Sequence, residues 1–123
     1  MQLNRFTDLG IRVLLLLSGK PEEIFKISQL ADTLQVSKNH LMKVVHFLAK
    51  QQLLIAIRGK NGGIKLMHSL EYYRLGQTIQ ALEMHSDQQQ ILINCQEPRC
   101  VLLPSCSLGS ILQNALHNFY HDL

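Results

Sequence analysis

Phe6, Gly10, Val13, Leu14 and Leu17 recur near a period of 3.6, which predicts an amphipathic helix over residues 3–17. Gly19-Lys20-Pro21 closes it, because proline disfavours helical geometry in the residue before it. A short second helix is predicted over residues 28–35, where Ser28 offers an N-cap and Leu30, Ala31 and Leu34 share a face. Val36 leads to Ser37, a second N-cap candidate. From there Leu41, Val44, Val45 and Leu48 lay an apolar stripe along a helix reaching about Gln51. Lys38, Asn39, Lys43 and His46 point away from that stripe.

The period then changes. Residues 53–57 and 64–67 read as strands, joined by the turn-rich, basic loop Arg58-Gly59-Lys60-Asn61-Gly62-Gly63. Two short helices with a tight break, followed at once by a basic hairpin, give the element order of a winged helix-turn-helix. Its second helix would enter a DNA major groove, and its wing would reach the adjacent minor groove or backbone. The loop lacks the spacing of a phosphate-cradling nucleotide loop. Residues 70–84 form a third amphipathic stretch on Leu75, Ile79 and Leu82, and Asp87-Gln88-Gln89-Gln90 reads as a polar loop. Leu108, Ile111, Leu112, Ala115, Leu116 and Phe119 then make a continuous helical stripe. Such a stripe needs a surface to cover, in its own chain or in a second subunit. The expected fold class is mainly α with a small β-hairpin wing.

With 46% apolar and 17% charged residues in 123, the chain has the composition of one folded domain and not of a disordered segment. The longest apolar run, Val13 to Leu17, is far short of the ~20 residues that cross a bilayer. It is also shorter than a secretion signal requires, so a cytoplasmic protein without a membrane partner is expected. The net charge of +3 conceals an asymmetry: residues 1–68 carry +6 and residues 69–123 carry −3. A basic front half points to a polyanion partner.

Candidate chemistry concentrates in one segment, Cys95-x4-Cys100-x5-Cys106, with Pro98 and Pro104 between the thiols. The prolines keep the segment non-helical, so the sulfurs can converge from a loop. An odd cysteine count argues against a disulfide framework and toward thiolate or metal chemistry. Thiolates suit zinc or an iron–sulfur cluster, although the Cys-x2-Cys pairs typical of structural zinc are absent. Such a site wants a fourth ligand. His85, His117 and His121 are near in sequence, although a loop histidine and two exposed histidines beside the apolar stripe are the readier readings, and a carboxylate from another part of a dimer is the other source.

This combination resembles the winged-helix iron–sulfur transcription regulators that include NsrR and IscR. The resemblance is carried by Met1-Gln2-Leu3-Asn4-Arg5-Phe6-Thr7-Asp8, by Val36-Ser37-Lys38-Asn39-His40-Leu41-Met42-Lys43-Val44, by Arg58-Gly59-Lys60-Asn61-Gly62-Gly63-Ile64, and by the cysteine loop ending Pro104-Ser105-Cys106. The wing and the loop are closest to the nitric-oxide-sensing NsrR repressors. The resemblance implies a homodimer with a winged helix-turn-helix region over 1–84, a cluster-binding loop over 85–106 and a long dimerisation helix over 107–123, in one compact domain. It implies an iron–sulfur cluster, 2Fe–2S or 4Fe–4S, on Cys95, Cys100 and Cys106, with Asp8 of the partner subunit as fourth ligand. Asp8 also reads as an ion-pair partner of Arg12, four residues on. The histidine three residues after the last cysteine, used by IscR-like members, is replaced here by Gly109.

The function implied is that of a repressor, not an enzyme. The dimer would hold a palindromic operator and release it when nitric oxide, redox change or iron loss alters the cluster. Lys38, Asn39 and Lys43 would contact DNA from the recognition helix, and Arg58 and Lys60 from the wing. Asn39 can pair bidentately with adenine, and the cations mainly meet phosphates. A zinc-stabilised or thiol-based winged-helix regulator and a small iron–sulfur redox protein are the alternatives.

Overall fold

The computed structural model describes residues 2–85 and 92–123. The expected polar loop Asp87–Gln90 lies outside them. The chain divides into two compact units, Asn4–Tyr73 and a second of Arg74–Leu123 with Met1–Leu3.

In the first unit the helix α1 runs over Arg5–Gly19, and Asn4 caps it through Oδ1, which accepts from the Thr7 amide at 2.8 Å. Leu9, Gly10, Val13 and Leu17 are buried along it, and so is Thr7. Leu14, expected on the same face, is only half-buried. The helix α2 spans Ile27–Leu34 and starts one residue before its predicted cap, with Lys26 at the N-cap and no capping side chain. Ser28 is therefore an exposed first-turn residue. The reason is tertiary. Phe25 exchanges two backbone hydrogen bonds with Ile64, each 2.8 Å, so the chain arrives extended and turns helical at once.

The end of α2 makes the tight break. Gln35 takes the left-handed conformation at φ 54°, and the Val36 amide donates to the Ala31 carbonyl at 3.1 Å, closing the helix with a Schellman turn. Three residues later the helix α3 begins, Lys38–Lys50. It packs against α1, α2 and the first strand, and Leu41, Val44 and Leu48 have no exposed surface. Phe6 meets Phe47 edge-to-face at 5.6 Å. A second Schellman turn at Gln52 (φ 59°), in which the Leu53 amide donates to the Leu48 carbonyl at 3.0 Å, hands the chain to the hairpin.

Strands β1 (Leu54–Ile57) and β2 (Gly63–Leu66) pair antiparallel, Leu54 opposite Leu66 and Ile57 opposite Gly63. Leu54, Ile64 and Leu66 face the core. A Cβ at Gly63 would run into the Phe25 carbonyl, so the bridge to Phe25 demands glycine there. Tyr73 Oη donates to the Leu53 carbonyl at 2.6 Å and fastens the strand's entry.

The stretch over 70–84 is two elements instead of one, a 3₁₀ turn at Leu70–Tyr72 and the helix α4 at Leu75–His85. In the second unit α4 pairs with the helix α5, Leu108–Asp122. They cross so closely that a Cβ at Gly76 would strike the Tyr120 carbonyl. Glu83 is buried on α4. Burial first, and the Glu83 carboxylate second, hold the Tyr120 phenol above its usual pKa. No helix among the described residues is long and apolar enough to cross a membrane.

The close crossing yields a test. Gly76→Ala should lower stability by about 1–3 kcal/mol, because the methyl meets backbone that cannot rotate aside. Urea unfolding against the parent chain measures it, and an unchanged midpoint would mean that the crossing relaxes freely.

Candidate nucleic-acid interface and thiol segment

Burial of one face of α3 leaves the other to solvent. Lys38, Asn39, Met42, Lys43 and His46 are exposed on it, as the apolar period requires. Ser37 fixes where this surface starts: its Oγ accepts from the His40 amide at 3.1 Å, so Lys38 and Asn39 occupy the first turn. There the helix dipole's positive end and the free amides favour anions. Arg58 and Lys60 are exposed in the loop that joins β1 to β2. Gly59 at φ +107° and the Gly62 amide donating to the Gly59 carbonyl at 3.0 Å shape that loop. All five residues expected to contact DNA are thus solvent-facing in one compact unit. Sequence reasoning overlooked what holds the wing, the Phe25–Ile64 bridge. A single extended residue after Pro21 carries no periodic signal.

Asp8 sits in the first turn of α1 and accepts from Arg12 Nε through both carboxylate oxygens at 3.0 Å. Its side chain keeps 57% of its surface exposed. An exposed pair of this kind contributes at most about 0.5 kcal/mol, so it is readily exchanged for another partner.

The cysteine segment is built from successive turns. Asn94 Oδ1 accepts from the Gln96 and Glu97 amides at 3.0 and 3.1 Å, and the Cys100 amide donates to the Cys95 carbonyl at 3.0 Å. The Leu103 and Ser105 amides continue the turns onto Cys100 and Leu102. Cys95 and Cys100 are half-buried, Cys106 is exposed, and all three are free thiols. Among the described residues no three of His, Cys, Asp and Glu gather into a ready-made metal site. The donor set itself fits a soft-metal group: three thiols in twelve residues on a non-helical segment, two of them tied at the base of one turn. Of the histidines weighed as a fourth ligand, His85 is exposed at the end of α4, and His117 and His121 are exposed on α5.

No residue of α5 is buried. Ile111 is 58% exposed and Leu108 45%, whereas Leu112, Leu116 and Phe119 are half-buried. The stripe read from sequence is present, and among the described residues it is only partly covered.

A helix-turn-helix whose second helix shows cations to solvent, followed by a basic hairpin, defines a winged-helix DNA-binding protein. The model of the Rrf2 family, described as an iron-dependent transcriptional regulator, matches residues 3–123. The chain belongs to the Rrf2 family, whose members are DNA-binding, dimeric regulators of transcription and not enzymes. Among solved structures it is similar to T. potens IscR, with a TM-score of 0.71 at 15% identity, covering 100% of this chain and 80% of that one. It is similar to the oxidised form of Staphylococcus aureus CymR, TM-score 0.63 at 20% identity, covering 90% and 88%. It also resembles CymR, the global cysteine regulator of B. subtilis, TM-score 0.63 at 18% identity, covering 95% and 90%. These likenesses establish the shared fold.

The cap generates a prediction. Ser37→Ala should cost about 1 kcal/mol and fray the turn that carries Lys38 and Asn39. Amide hydrogen exchange at His40 should accelerate, and unchanged protection there would remove Ser37 from this role.

Proposed function

We propose that this chain is a repressor of the NsrR type, whose hold on a palindromic operator depends on an iron–sulfur cluster and is released by nitric oxide. In a homodimer each copy of α3 sets Asn39 against base edges and Lys38 and Lys43 against phosphates, with Arg58 and Lys60 extending the contact from the wing. The partly covered stripe of α5, centred on Leu112 and Leu116, packs on its copy in the second chain. Cys95, Cys100 and Cys106 would hold the cluster, 2Fe–2S or 4Fe–4S, and Asp8 of the partner subunit would complete its ligands. When bound, the cluster supplies iron whose ligand shell responds to a small diatomic molecule or to redox change.

The chain's own residues supply the coupling. Asp8 belongs to α1, and α1 packs on α3. A tie from Asp8 to the other chain's cysteines therefore fixes the spacing of the two recognition helices, and losing it lets that spacing change. A carboxylate is a harder ligand than a thiolate and the natural one to be displaced. The observation that carries the proposal is three free thiols within one turn-built segment, in a chain of an iron-dependent regulator family. The exposure of Cys106 favours one second reading, a regulator that works by thiol oxidation without metal.

Anaerobic purification decides between them. The proposal expects a brown protein with iron and sulfide, operator binding lost on nitric-oxide titration, and no stable cluster in Cys95→Ala, Cys100→Ala or Cys106→Ala. Asp8→Ala should still assemble a cluster but change its visible spectrum and its nitric-oxide response. An unaltered spectrum and titration would limit Asp8 to its pair with Arg12. A colourless protein holding zinc, or a metal-free one whose operator affinity follows thiol oxidation, would overturn the cluster. Separately, Lys60→Ala should weaken binding to all DNA sequences alike and reduce the salt slope by about one. A slope equal to that of the parent chain would take Lys60 off the phosphates.

A further inference from the structure

In the second unit a cleft of about 290 Å³ opens between α4 and the last turns of α5, lined in part by Arg74, Gln77, Gln80, His117, Tyr120 and His121. We propose that His117 and His121 form a binding site for a divalent transition-metal ion of borderline softness, such as Zn²⁺ or Ni²⁺, separate from the thiols.

The two histidines are four apart on α5, so one helical turn brings their Cβ atoms within about 5–6 Å on the same face. Helical histidines at this spacing can share one ion. Both line the same cleft, so the two imidazoles border a common space with room for an ion and its waters. A neutral imidazole offers a ring nitrogen that zinc and nickel accept.

The surroundings favour a cation on balance. Both residues lie in the last two turns of a 15-residue helix, where the unsatisfied carbonyls carry the negative end of the dipole. Asp122 Oδ1 stands 3.6 Å from His121 Nδ1 with both side chains largely exposed, which adds a solvent-screened negative charge beside that ring. Arg74 opposes this, but the cleft is open to water, which screens its charge. Gln77 and Gln80 bring amide oxygens to the lining, suited to accepting from metal-bound water. Among the described residues no three of His, Cys, Asp and Glu, Asp122 included, are placed to hold an ion together. Water therefore completes the shell, and the ion is exchangeable instead of structural. Its effect would be to brace the end of α5 next to the Gly76–Tyr120 crossing, which makes the α4–α5 pair responsive to metal supply independently of any cluster.

The test uses the full chain with its three thiols blocked by iodoacetamide, its fold checked by circular dichroism, and titrated with Ni²⁺ in a calorimeter. Saturable binding is expected, with shifts of the His117 and His121 imidazole signals in nuclear magnetic resonance. His117→Gln and His121→Gln should each weaken binding by about tenfold or more, since each removes one of two protein ligands. His85→Gln, in the same unit but outside the cleft lining, should leave it unchanged. Absence of binding, an affinity indifferent to both cleft variants, or an equal loss in His85→Gln would overturn the assignment.

Discussion

The burial of one face of α3 against α1, α2 and β1 holds the N-terminal unit together and also decides what the opposite face can do. Leu41, Val44 and Leu48 are completely enclosed. A rotation by one residue, about 100° on a 3.6 period, would drive Lys43 or His46 into that core and leave leucines in water. Burying an unpaired cation costs several kcal/mol. The helix therefore has one permitted orientation, and in it Lys38, Asn39, Lys43 and His46 all face outward. The polar surface proposed to meet DNA is the reverse side of the hydrophobic core.

The same economy governs the wing. A two-stranded hairpin is marginal by itself in water. Here Leu54, Ile64 and Leu66 enter the core, and Phe25 adds a backbone bridge to Ile64. The hairpin is thereby joined to the segment that precedes α2, and the loop with Arg58 and Lys60 hangs from a fixed base. Gly63 is the residue that permits it, because any side chain would meet the Phe25 carbonyl.

The second unit follows a different logic. The helix α5 meets α4 by backbone approach at Gly76 and buries none of its own residues. In a family of dimeric regulators, an amphipathic helix only partly covered in its own chain suits the interface proposed above. The thiols of the preceding segment are likewise a site in parts, chemically suited to a soft metal and not drawn together within the described residues. Both features are ones that the proposed dimer would use.

The helix-turn-helix was legible because its signals are local: the Leu41–Leu48 stripe, the Ser37 cap that the structure confirms at 3.1 Å, and a change of period at residue 53. The wing's loop and the cysteine spacing were legible for the same reason, since turn chemistry and ligand type are written in adjacent residues. Tertiary structure alone decided the start of α2, which moved from Ser28 to Ile27 because Phe25 is held by Ile64. It alone decided the burial of Thr7 and Glu83, which no hydrophobic pattern marks. It alone decided the need for glycine at positions 63 and 76, where another segment's carbonyl occupies the space of a side chain. The pairing of Asp8 with Arg12 could be read from a spacing of four, and the cleft shared by His117 and His121 could not, because its other wall is α4. Local periodicity and capping are properties of neighbours along the chain, whereas bridges, close crossings and clefts belong to residues that only folding brings together.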